Sequence, residues 1–516
     1  MGRFIAVVDI GTTNIRCHIY DVKAQVVGSA VEQIAHLYPA PGRVEMAPDD
    51  FWDQFVRVTK AGMKDAKCTA EDIVAMGIST QRNSFITWNK ETGWPYHNFI
   101  SWRDHRSSDL CKEWNNSWTL KGLHCGSSLL HCITRNKRYL AGSILKMVGA
   151  MVTMRLLWMI QNEPTLRKAI EADLVHYGCI ETWLLWKLTG GKQYATEMSL
   201  CGSTGLFDPY TNDYGYQILH MLGVPTNILP PVLKTNAQFG LCEPDIFGAA
   251  IPIRALMADS QAALFGCGCF ERGAMKISLS TGAFLDLNTG YKPLTSMQGL
   301  KPLVAWHLND GEPVYVAEGY AYDTGTAVAW AQSIGLLENV ADSSAIAMSV
   351  PDTDGAYFVP GFSGLQAPLD NDAACAMFIG LKPTTSKAHM VRAILESLAF
   401  RVYQIYQVMV SEAKFPIGTV RCCGGVSKND FLCQLISNLI DKRIERLSNT
   451  EATSLGVALL TGVSSGFWAD KSLAEQLVQI DTVFEPCLEQ KRQTLLQIYQ
   501  EWTRAVSRSL NWYQEL

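Results

Sequence analysis

Small and polar residues that could hold a phosphate follow the first apolar run of the chain. Residues 4–8 are apolar, and the positions after them include Asp9, Gly11, Thr12, Thr13 and Asn14. A run this short predicts a buried strand, and Gly11 lets the backbone turn tightly behind it. The hydroxyl, amide and backbone N–H donors of such a turn can converge on negative charge. Because Asp9 would repel a bare phosphate, the pattern indicates a nucleotide-phosphate turn with Mg²⁺ at this carboxylate.

The same stretch also fits a plain β-hairpin. Ile15, Cys17 and Ile19 alternate with polar residues, as in a half-buried second strand. A hairpin and a phosphate turn are compatible, so both interpretations stay open at this point.

Asp259 is a second carboxylate that could take part in a reaction or bind a metal. It follows the apolar residues 251–258, which predict a strand, and precedes the small residues 262–266, which predict a helix. Carboxylates at strand ends of open α/β sheets are placed for base chemistry or metal contact. The alternative is an aspartate that only caps the following helix.

Two further polar strand ends contain Arg82 and Trp102. Residues 73–79 predict a buried strand that leads directly to Arg82, whose guanidinium can bind a hydroxyl-bearing substrate or a phosphate. Trp102 could form an apolar wall for a small carbon chain. A structural arginine and a core tryptophan are the alternatives.

The opening pattern recurs about 270 residues later in the chain. Residues 274–279 predict a strand, Thr281 and Gly282 a turn, and residues 283–287 a second strand. Two such units suggest a duplicated architecture with a phosphate-binding turn in each half and a cleft between the halves. Gly325 before a predicted helix and Gly425 in a double-glycine turn could lie close to a nucleotide. Ordinary strand–helix packing is the alternative for both glycines.

The length and net charge of the chain exclude some classes of protein. A chain of 516 residues is too long for one compact core, and a net charge of −5 argues against a nucleic-acid surface. The 15 scattered cysteines suit reduced thiols in a cytoplasmic protein. The most apolar long window, residues 141–160, contains Lys146 and Arg155, so we expect no membrane span.

These motifs together resemble the FGGY carbohydrate kinases, and the glycerol kinases among them. The resemblance covers nearly the whole chain and is carried by residues 9–13, 77–82, 100–102, 182–185, 259–266, 280–282, 358–360, 364–368, 395–399 and 424–425. It implies an α/β fold of two RNase H-like domains, of the actin and hexokinase type, around a deep cleft. The expected domains are residues 1–262, with the polyol site, and residues 263–516, with the nucleotide site.

The resemblance also implies a role for each candidate residue. Asp259 would be the general base and, with Asp9, a catalytic and Mg²⁺-organising carboxylate. The polyol contacts would be Arg82, Asn83, Trp102, Asp259, Ser260 and Phe284. The ATP contacts would be Thr12, Thr13, Asn14, Arg16, Thr281, Gly282, Gly325, Gly425 and Asn429.

The chain departs from the glycerol-kinase pattern at the expected polyol contacts. An acidic residue normally follows the Gln-Arg pair, but Asn83 stands here and offers an amide oxygen without charge. Ala150 occupies the position expected for a substrate-binding tyrosine, and Ser260 the position of a glutamine. The phosphate-binding motifs therefore match better than the polyol-binding ones.

The sequence predicts ATP- and Mg²⁺-dependent phosphorylation of glycerol to sn-glycerol 3-phosphate, with Asp259 as base. Two alternatives stay open: a kinase for another polyol or a ketose, and a weakly active nucleotide-binding regulator of lipid metabolism. We expect a small-molecule substrate and no nucleic-acid partner. The oligomeric state is left open, a homo-oligomer included, and residues 109–150 contain no motif that we can interpret.

Overall fold

The computed structural model describes residues 3–308, 311–449, 451–469 and 476–513. Contacts divide the chain into two compact units. Unit 1 consists of Met1–Gly266, Leu303–Tyr315 and Thr453–Leu477, and unit 2 of Cys267–Pro302, Val316–Ala452 and Val478–Leu516. Each unit is therefore assembled from three segments, and a single boundary after residue 262 stays a prediction.

The strands of the described residues are numbered in chain order. The first thirteen are β1 Phe4–Ile10, β2 Asn14–Tyr20, β3 Val26–Gln33, β4 Glu45–Met46, β5 Ile73–Thr80, β6 Phe85–Asn89, β7 Phe99–Ile100, β8 Val175–Cys179, β9 Thr196–Glu197, β10 Phe207–Asp208, β11 Asp213–Tyr214, β12 Val232–Leu233 and β13 Ile253–Ala258. The others are β14 Met275–Leu279, β15 Ala283–Gly290, β16 Lys301–Trp306, β17 Val314–Ala321, β18 Tyr357–Val359, β19 Met377–Ile379, β20 Val420–Cys423, β21 Ile444–Leu447 and β22 Ile480–Phe484.

The α-helices of the described residues are numbered in the same way. They are α1 Pro48–Asp65, α2 Ser108–Asn116, α3 Trp118–Thr134, α4 Lys137–Gly142, α5 Val152–Asn162, α6 Pro164–Glu171, α7 Ile180–Leu188, α8 Met198–Cys201, α9 Tyr216–Leu222, α10 Pro244–Phe247, α11 Asp259–Gly266, α12 Gly325–Ser333, α13 Ser343–Met348, α14 Lys387–Ala413, α15 Asp430–Ile440, α16 Ala452–Ser464 and α17 Glu489–Ser509. Short 3₁₀ helices cover Ala70–Asp72, Val340–Asp342 and Gly425–Lys428.

The main sheet of unit 1 has the strand order β13-β5-β1-β2-β3. β1 pairs antiparallel with β2, which pairs antiparallel with β3, whereas β5 lies parallel to both β1 and β13. β1 forms here because its apolar run is too short for a helix and is buried from Ile5 to Ile10. The predicted opening hairpin is confirmed.

The second main sheet has the order β16-β17-β15-β14-β20-β21-β22. Its central strands repeat the order of the first sheet, with an antiparallel β14–β15 hairpin and the parallel pairs β14–β20 and β20–β21. The same strand order occurs twice in the chain, which confirms the predicted duplication of a strand–turn–strand unit.

Each unit contains its own hydrophobic core. The core of unit 1 lies between the main sheet and helices that include α1 and α7, and the core of unit 2 surrounds the long helix α14. A smaller sheet of unit 1, with the order β4-β7-β6-β8, carries the loops that follow β5 and β7. In the part of the chain that the structure describes, every helix is too short or too polar to span a bilayer.

Candidate functional site

Asp9 and Asp259 lie at the same edge of the unit 1 sheet. Asp9 pairs with Ser79 of β5 in parallel register, and Met257 of β13 pairs with the same serine from the other side. Asp259 follows β13 directly as the first residue of α11. Parallel neighbours are about 4.8 Å apart, so the backbones that hold the two carboxylates are separated by about 10 Å. A sheet edge with two acidic groups at this spacing can hold a small polar ligand.

The carboxylate of Asp9 is almost completely buried. Its Oδ1 accepts a hydrogen bond of 2.7 Å from the Ser79 hydroxyl, and its Oδ2 is 3.8 Å from Nη1 of Arg16. Arg16 is also the cross-strand partner of Asp9 in the β1–β2 hairpin. Arg16, which was predicted to contact the nucleotide, is thus placed beside the predicted metal-organising carboxylate.

The two carboxylates at this sheet edge are too few to hold a metal ion with protein groups alone. They fit Mg²⁺ that is bound together with a nucleotide. The described ranges contain no group of three or more His, Cys, Asp or Glu side chains arranged to hold a metal ion. Mg²⁺ is commonly held by one or two carboxylates together with waters and substrate phosphates. Asp9 and Asp259 would supply the two carboxylates.

The turn between β1 and β2 is closed by a hydrogen bond of 3.0 Å from the Gly11 amide to the carbonyl of Asn14. Thr13 is exposed, and Thr12 is half-buried. The Thr12 hydroxyl oxygen accepts a hydrogen bond of 3.0 Å from Nε1 of Trp102. The structure therefore brings a predicted phosphate contact and a predicted polyol contact together.

The loop after β5 places Arg82 next to Asp259. Nε of Arg82 is 3.8 Å from Oδ1 of Asp259, and 14% of the arginine side chain and 34% of the aspartate side chain are exposed. The Ser260 amide donates a hydrogen bond of 2.8 Å to the same Oδ1. This donor is the adjacent amide and not one two or three residues further on, so the contact is not a helix cap and leaves a chemical role for Asp259 open.

Asn83 and Ala150 are joined by Arg155, which the sequence analysis did not identify as a site residue. The buried guanidinium donates hydrogen bonds of 2.8 Å to the carbonyl oxygens of both residues, and one of 2.5 Å to that of Ser101. Burial lowers the pKa of Arg155 to about 10, so the group stays charged at neutral pH. Arg155 therefore joins the two loops that carry the predicted polyol contacts Asn83 and Trp102 to the segment that contains Ala150.

The Asn83 backbone adopts a left-handed conformation, with φ of 68°. Asparagine tolerates this region better than most residues, because its short polar side chain can bond locally. Its Oδ1 accepts a hydrogen bond of 3.1 Å from the Ser203 hydroxyl. The amide that replaces the expected acid is therefore already engaged with the protein.

A second network that the sequence did not reveal lies behind Asp259. The fully buried Glu197 accepts hydrogen bonds from the amide and hydroxyl of Ser199, at 2.8 and 2.5 Å, and from the Thr235 hydroxyl at 2.5 Å. The Ser199 hydroxyl in turn accepts a hydrogen bond of 3.0 Å from the Ala258 amide. Burial raises the pKa of Glu197 to about 7, against donors that favour its carboxylate. This network fixes the end of β13 immediately before Asp259.

In unit 2, the turn between β14 and β15 presents the exposed Thr281. A Cβ on Gly325 would lie 2.5 Å from the carbonyl oxygen of Ser280, and a Cβ on Gly282 would lie 2.8 Å from that of Ala321. The Gly325 amide donates a hydrogen bond of 2.9 Å to Ser280. Both glycines are therefore required by close backbone contacts, which join the predicted phosphate turn to the start of α12.

The other predicted contacts of unit 2 differ in how accessible they are. A Cβ on Gly425 would meet nothing within 4 Å, which agrees with an open backbone surface. The Asn429 side chain instead caps α15, accepting from the Leu432 amide at 2.9 Å, and donates to the Ser343 hydroxyl at 3.0 Å. Phe284 is half-buried, and its ring centroid is 6.1 Å from that of Tyr320.

Arg155 and Glu197 differ in the signal that could have identified them. Arg155 is a lone cation in an otherwise apolar helix, a pattern typical of a buried arginine with several acceptors. Glu197 has no comparable signal, because its network reaches Thr235 and Ala258, which are distant from it in the sequence.

Most of the chain is covered by one pair of protein-family domains. Residues 4–266 match the N-terminal domain, and residues 275–465 the C-terminal domain, of the FGGY family of carbohydrate kinases.

Relatives and a solved structure agree with this match. The chain is 45% identical over 516 residues to a protein named Glycerol kinase 5 from Danio rerio, an alignment that covers 99% of this chain and 97% of the relative. It is 35% identical to Glycerol kinase 2 of Thermotoga maritima, with 99% of each chain covered. The crystal structure of Plasmodium falciparum glycerol kinase with ADP matches with a TM-score of 0.88 at 28% identity, and 99% of each chain is covered.

Proposed function

Because the chain belongs to the FGGY family of carbohydrate kinases, we propose that it transfers a phosphoryl group from ATP to glycerol, giving sn-glycerol 3-phosphate. The observation that supports this most is the position of Asp259, which lies beside Arg82 at the sheet edge that also holds Asp9. The relatives named above support glycerol as the acceptor.

In this proposal Asp259 accepts the proton of the attacking hydroxyl. Such general bases contribute about 10²- to 10⁴-fold to a rate. The neighbouring Arg82 suits this role, because its guanidinium lies 3.8 Å from the carboxylate and can hold the acceptor beside it. Arg82 also offers donors to a second hydroxyl of the polyol, and Trp102 offers an apolar wall to its carbon chain.

Each unit has a glycine-threonine turn that could bind phosphate. In unit 1, Thr12 and Thr13 would donate hydrogen bonds to phosphate oxygens. In unit 2, Thr281 would donate in the same way, and Gly425 would leave room beside a ribose or base. When Mg²⁺ is bound with ATP, near Asp9 and Asp259, it neutralises charge on the transferred group, which is most of what phosphoryl transfer needs. The other site assignments stay predictions, namely those of Asn14, Arg16, Gly282, Gly325, Asn429, Ser260 and Phe284.

A second candidate function is phosphorylation of a larger polyol or a ketose. Asn83 supports it, because its amide is bonded to Ser203 and has no charge with which to hold a glycerol hydroxyl. Ala150 supports it as well, because its small side chain leaves more room than a tyrosine would. A third candidate, a nucleotide-binding regulator with weak activity, is less well supported, since both carboxylates are present.

The protein is assigned to the cytoplasm as part of the same proposal. Each of the 15 cysteines, all within the described ranges, is a free thiol, which suits a reducing compartment.

The experiment is an acceptor panel with the purified full-length chain, ATP and Mg²⁺. Phosphorus NMR identifies the product, and a coupled assay measures ADP release. We expect glycerol to give glycerol 3-phosphate with a higher kcat/KM than erythritol, xylulose or gluconate. A higher kcat/KM for a larger acceptor would favour the second candidate, and tight ATP binding without turnover on any acceptor would favour the third.

A further inference from the structure

Helix α3, Trp118–Thr134, has an outward face of apolar and small residues. At 3.6 residues per turn, this face spans about 100° of the helix circumference, and it consists of Trp118, Gly122, Cys125, Leu129, Cys132 and Ile133. The exposed fractions of Trp118, Leu129 and Ile133 are 87%, 63% and 71%. We call these six residues the α3 face. Contiguous exposed apolar surface of this kind usually marks an interaction site.

The opposite side of α3 is firmly packed in unit 1, so the outward face is not the result of a loosely placed helix. Leu120 and Ser127 are buried, and the Ser117 hydroxyl caps the helix by accepting from the Leu120 amide at 3.1 Å. Nε2 of His124 lies 2.8 Å from the carbonyl oxygen of Leu145. A Cβ on Gly122 would meet nothing within 4 Å, so the α3 face is open in the described chain.

The surroundings of the α3 face are strongly basic in an otherwise acidic chain. The chain has 49 acidic residues, yet residues 114–162 contain none and include six Lys or Arg. Four of these basic residues are exposed: Lys121, Arg135, Lys137 and Lys146. A fifth, Arg138, is paired with Asp208 at 2.6 Å. The acids closest in sequence, Asp109 and Glu113, belong to the preceding helix α2.

We propose that the α3 face docks on the surface of a phospholipid bilayer that contains anionic lipids, with α3 lying in the plane of the interface. Interfacial helices combine tryptophan and aliphatic residues on one side with flanking lysines and arginines. Nζ of Lys121 is 5.2 Å from the centroid of a Trp118 ring, so the cation and the aromatic ring already share one side of the helix. The lysine stem can cover apolar surface while its charge reaches the headgroups.

Charge complementarity favours this occupant over a second copy of the chain. Two α3 faces packed on each other would bring Lys121, Arg135 and their neighbours together with no acidic residue of this segment to pair with them. An anionic headgroup layer attracts the same residues.

The inference does not depend on the proposed function, because no residue of the α3 face belongs to the candidate site. Its test is vesicle flotation of the full-length protein, with vesicles of phosphatidylcholine alone and of phosphatidylcholine with about 30 mol% phosphatidylserine. We expect binding to the anionic vesicles at about 0.1 M salt, and weaker binding as added salt screens the headgroups.

Two variants separate the apolar and the electrostatic contributions. Leu129→Asp/Ile133→Asp places charge on the α3 face, and Lys121→Glu/Arg135→Glu reverses charge beside it. Each should weaken binding to the anionic vesicles by at least about tenfold, because aspartates oppose insertion of the apolar face and glutamates are repelled by the anionic headgroups. Leu488→Asp is the control: Leu488 is an equally conspicuous exposed leucine in unit 2, 84% exposed, and its replacement should change nothing.

Three results would overturn the proposal. The first is equal flotation with neutral and anionic vesicles. The second is that both α3 variants bind the anionic vesicles as strongly as the parent protein does, while their ATP turnover shows that they are folded. The third is a dimer of the parent protein that dissociates in the Leu129→Asp/Ile133→Asp variant while neither protein binds vesicles, because that would make a second copy the occupant.

Discussion

Arg82 and Asp259 face each other across the edge of the unit 1 sheet, with 3.8 Å between Nε of the arginine and Oδ1 of the aspartate. Arg82 follows β5, and Asp259 follows β13, the strand parallel to it. Two groups that are 177 residues apart in the chain are thus joined by the register of one strand pair. The first prediction follows from this pair.

Replacing Arg82 should weaken acceptor binding. Arg82→Met removes the guanidinium donors beside Asp259, so we expect KM for glycerol to rise by about tenfold or more, the equivalent of one or two lost charge-assisted hydrogen bonds. Arg82→Lys should recover only part of the loss, because an ammonium lacks the planar fork of the guanidinium. Steady-state kinetics measures this. An unchanged KM in Arg82→Met would remove Arg82 from the acceptor site.

Restoring an acid at position 83 should improve glycerol binding. Asn83→Asp keeps a short side chain that tolerates the φ of 68° and adds a charge. Because charge-assisted hydrogen bonds are about twice as strong as neutral ones, we expect KM for glycerol to fall by up to about tenfold. Asn83→Ala serves as the comparison and should raise KM. A rise in KM for Asn83→Asp would contradict the prediction, and an unchanged KM in both variants would show that the acceptor does not contact this position.

The buried ion pair of Lys276 and Asp286 should matter for stability more than for catalysis. The two residues are direct cross-strand partners in the β14–β15 hairpin, and their side chains are 1% and 2% exposed. Burial opposes the charge of Lys276, but Asp286 and nearby thiols raise the pKa of the lysine above its ordinary value. Asp286→Asn would leave a buried cation without its counter-charge, which typically costs about 3–5 kcal/mol of unfolding free energy.

Urea denaturation checks this, with a double variant as the decisive comparison. Lys276→Met/Asp286→Leu removes both charges and should be close to the parent protein in stability. The exposed pair Lys90–Asp173, at 2.7 Å, is the control, and Lys90→Met should cost less than about 1 kcal/mol. A mild effect of Asp286→Asn, similar to that of the control, would contradict the prediction.

Glu197 should make stability fall as pH rises. Burial raises its pKa from 4.5 to about 7 in the folded protein, so the folded state binds the proton more tightly than the unfolded state does. The stabilising contribution of the protonated form is complete below pH 4.5 and is lost as pH rises through about 7, by up to about 3 kcal/mol.

Denaturation curves across this pH range, for the parent protein and for Glu197→Gln, measure the effect. The variant should lack this part of the pH dependence, whereas Glu91→Gln, at an exposed position, should keep it. Identical pH profiles for the parent protein and Glu197→Gln would show that Glu197 does not titrate in this range.

Local patterns in the sequence predicted the strands that end at the candidate site. They did not predict the tertiary contacts that hold these strand ends in place. The run before Asp9, the glycine turn after it and the apolar residues before Asp259 each specify a strand and its end, and all three are present. The recurrence of the pattern at Thr281 correctly indicated a repeated strand order.

Arg155 and the α3 face could not be derived in the same way. The acceptors of Arg155 include the carbonyls of residues 83, 101 and 150, and only the folded chain brings these three together. In α3 the apolar residues lie on both sides of the helix, so periodicity could not show which side the rest of unit 1 covers. The side chain of Asn429 caps α15, a contact that the sequence analysis did not predict, and its assignment to the nucleotide stays a prediction.

The most direct test of the proposed function is the turnover of Asp259→Asn with ATP and glycerol. Asparagine keeps the shape of the side chain but cannot accept the proton, so we expect kcat to fall by about 10²- to 10⁴-fold while ATP still binds. Asp245→Asn, at an exposed position of α10, should retain the activity of the parent protein. Asp259→Asn with the kcat of the parent protein would contradict the assignment of Asp259 as the base.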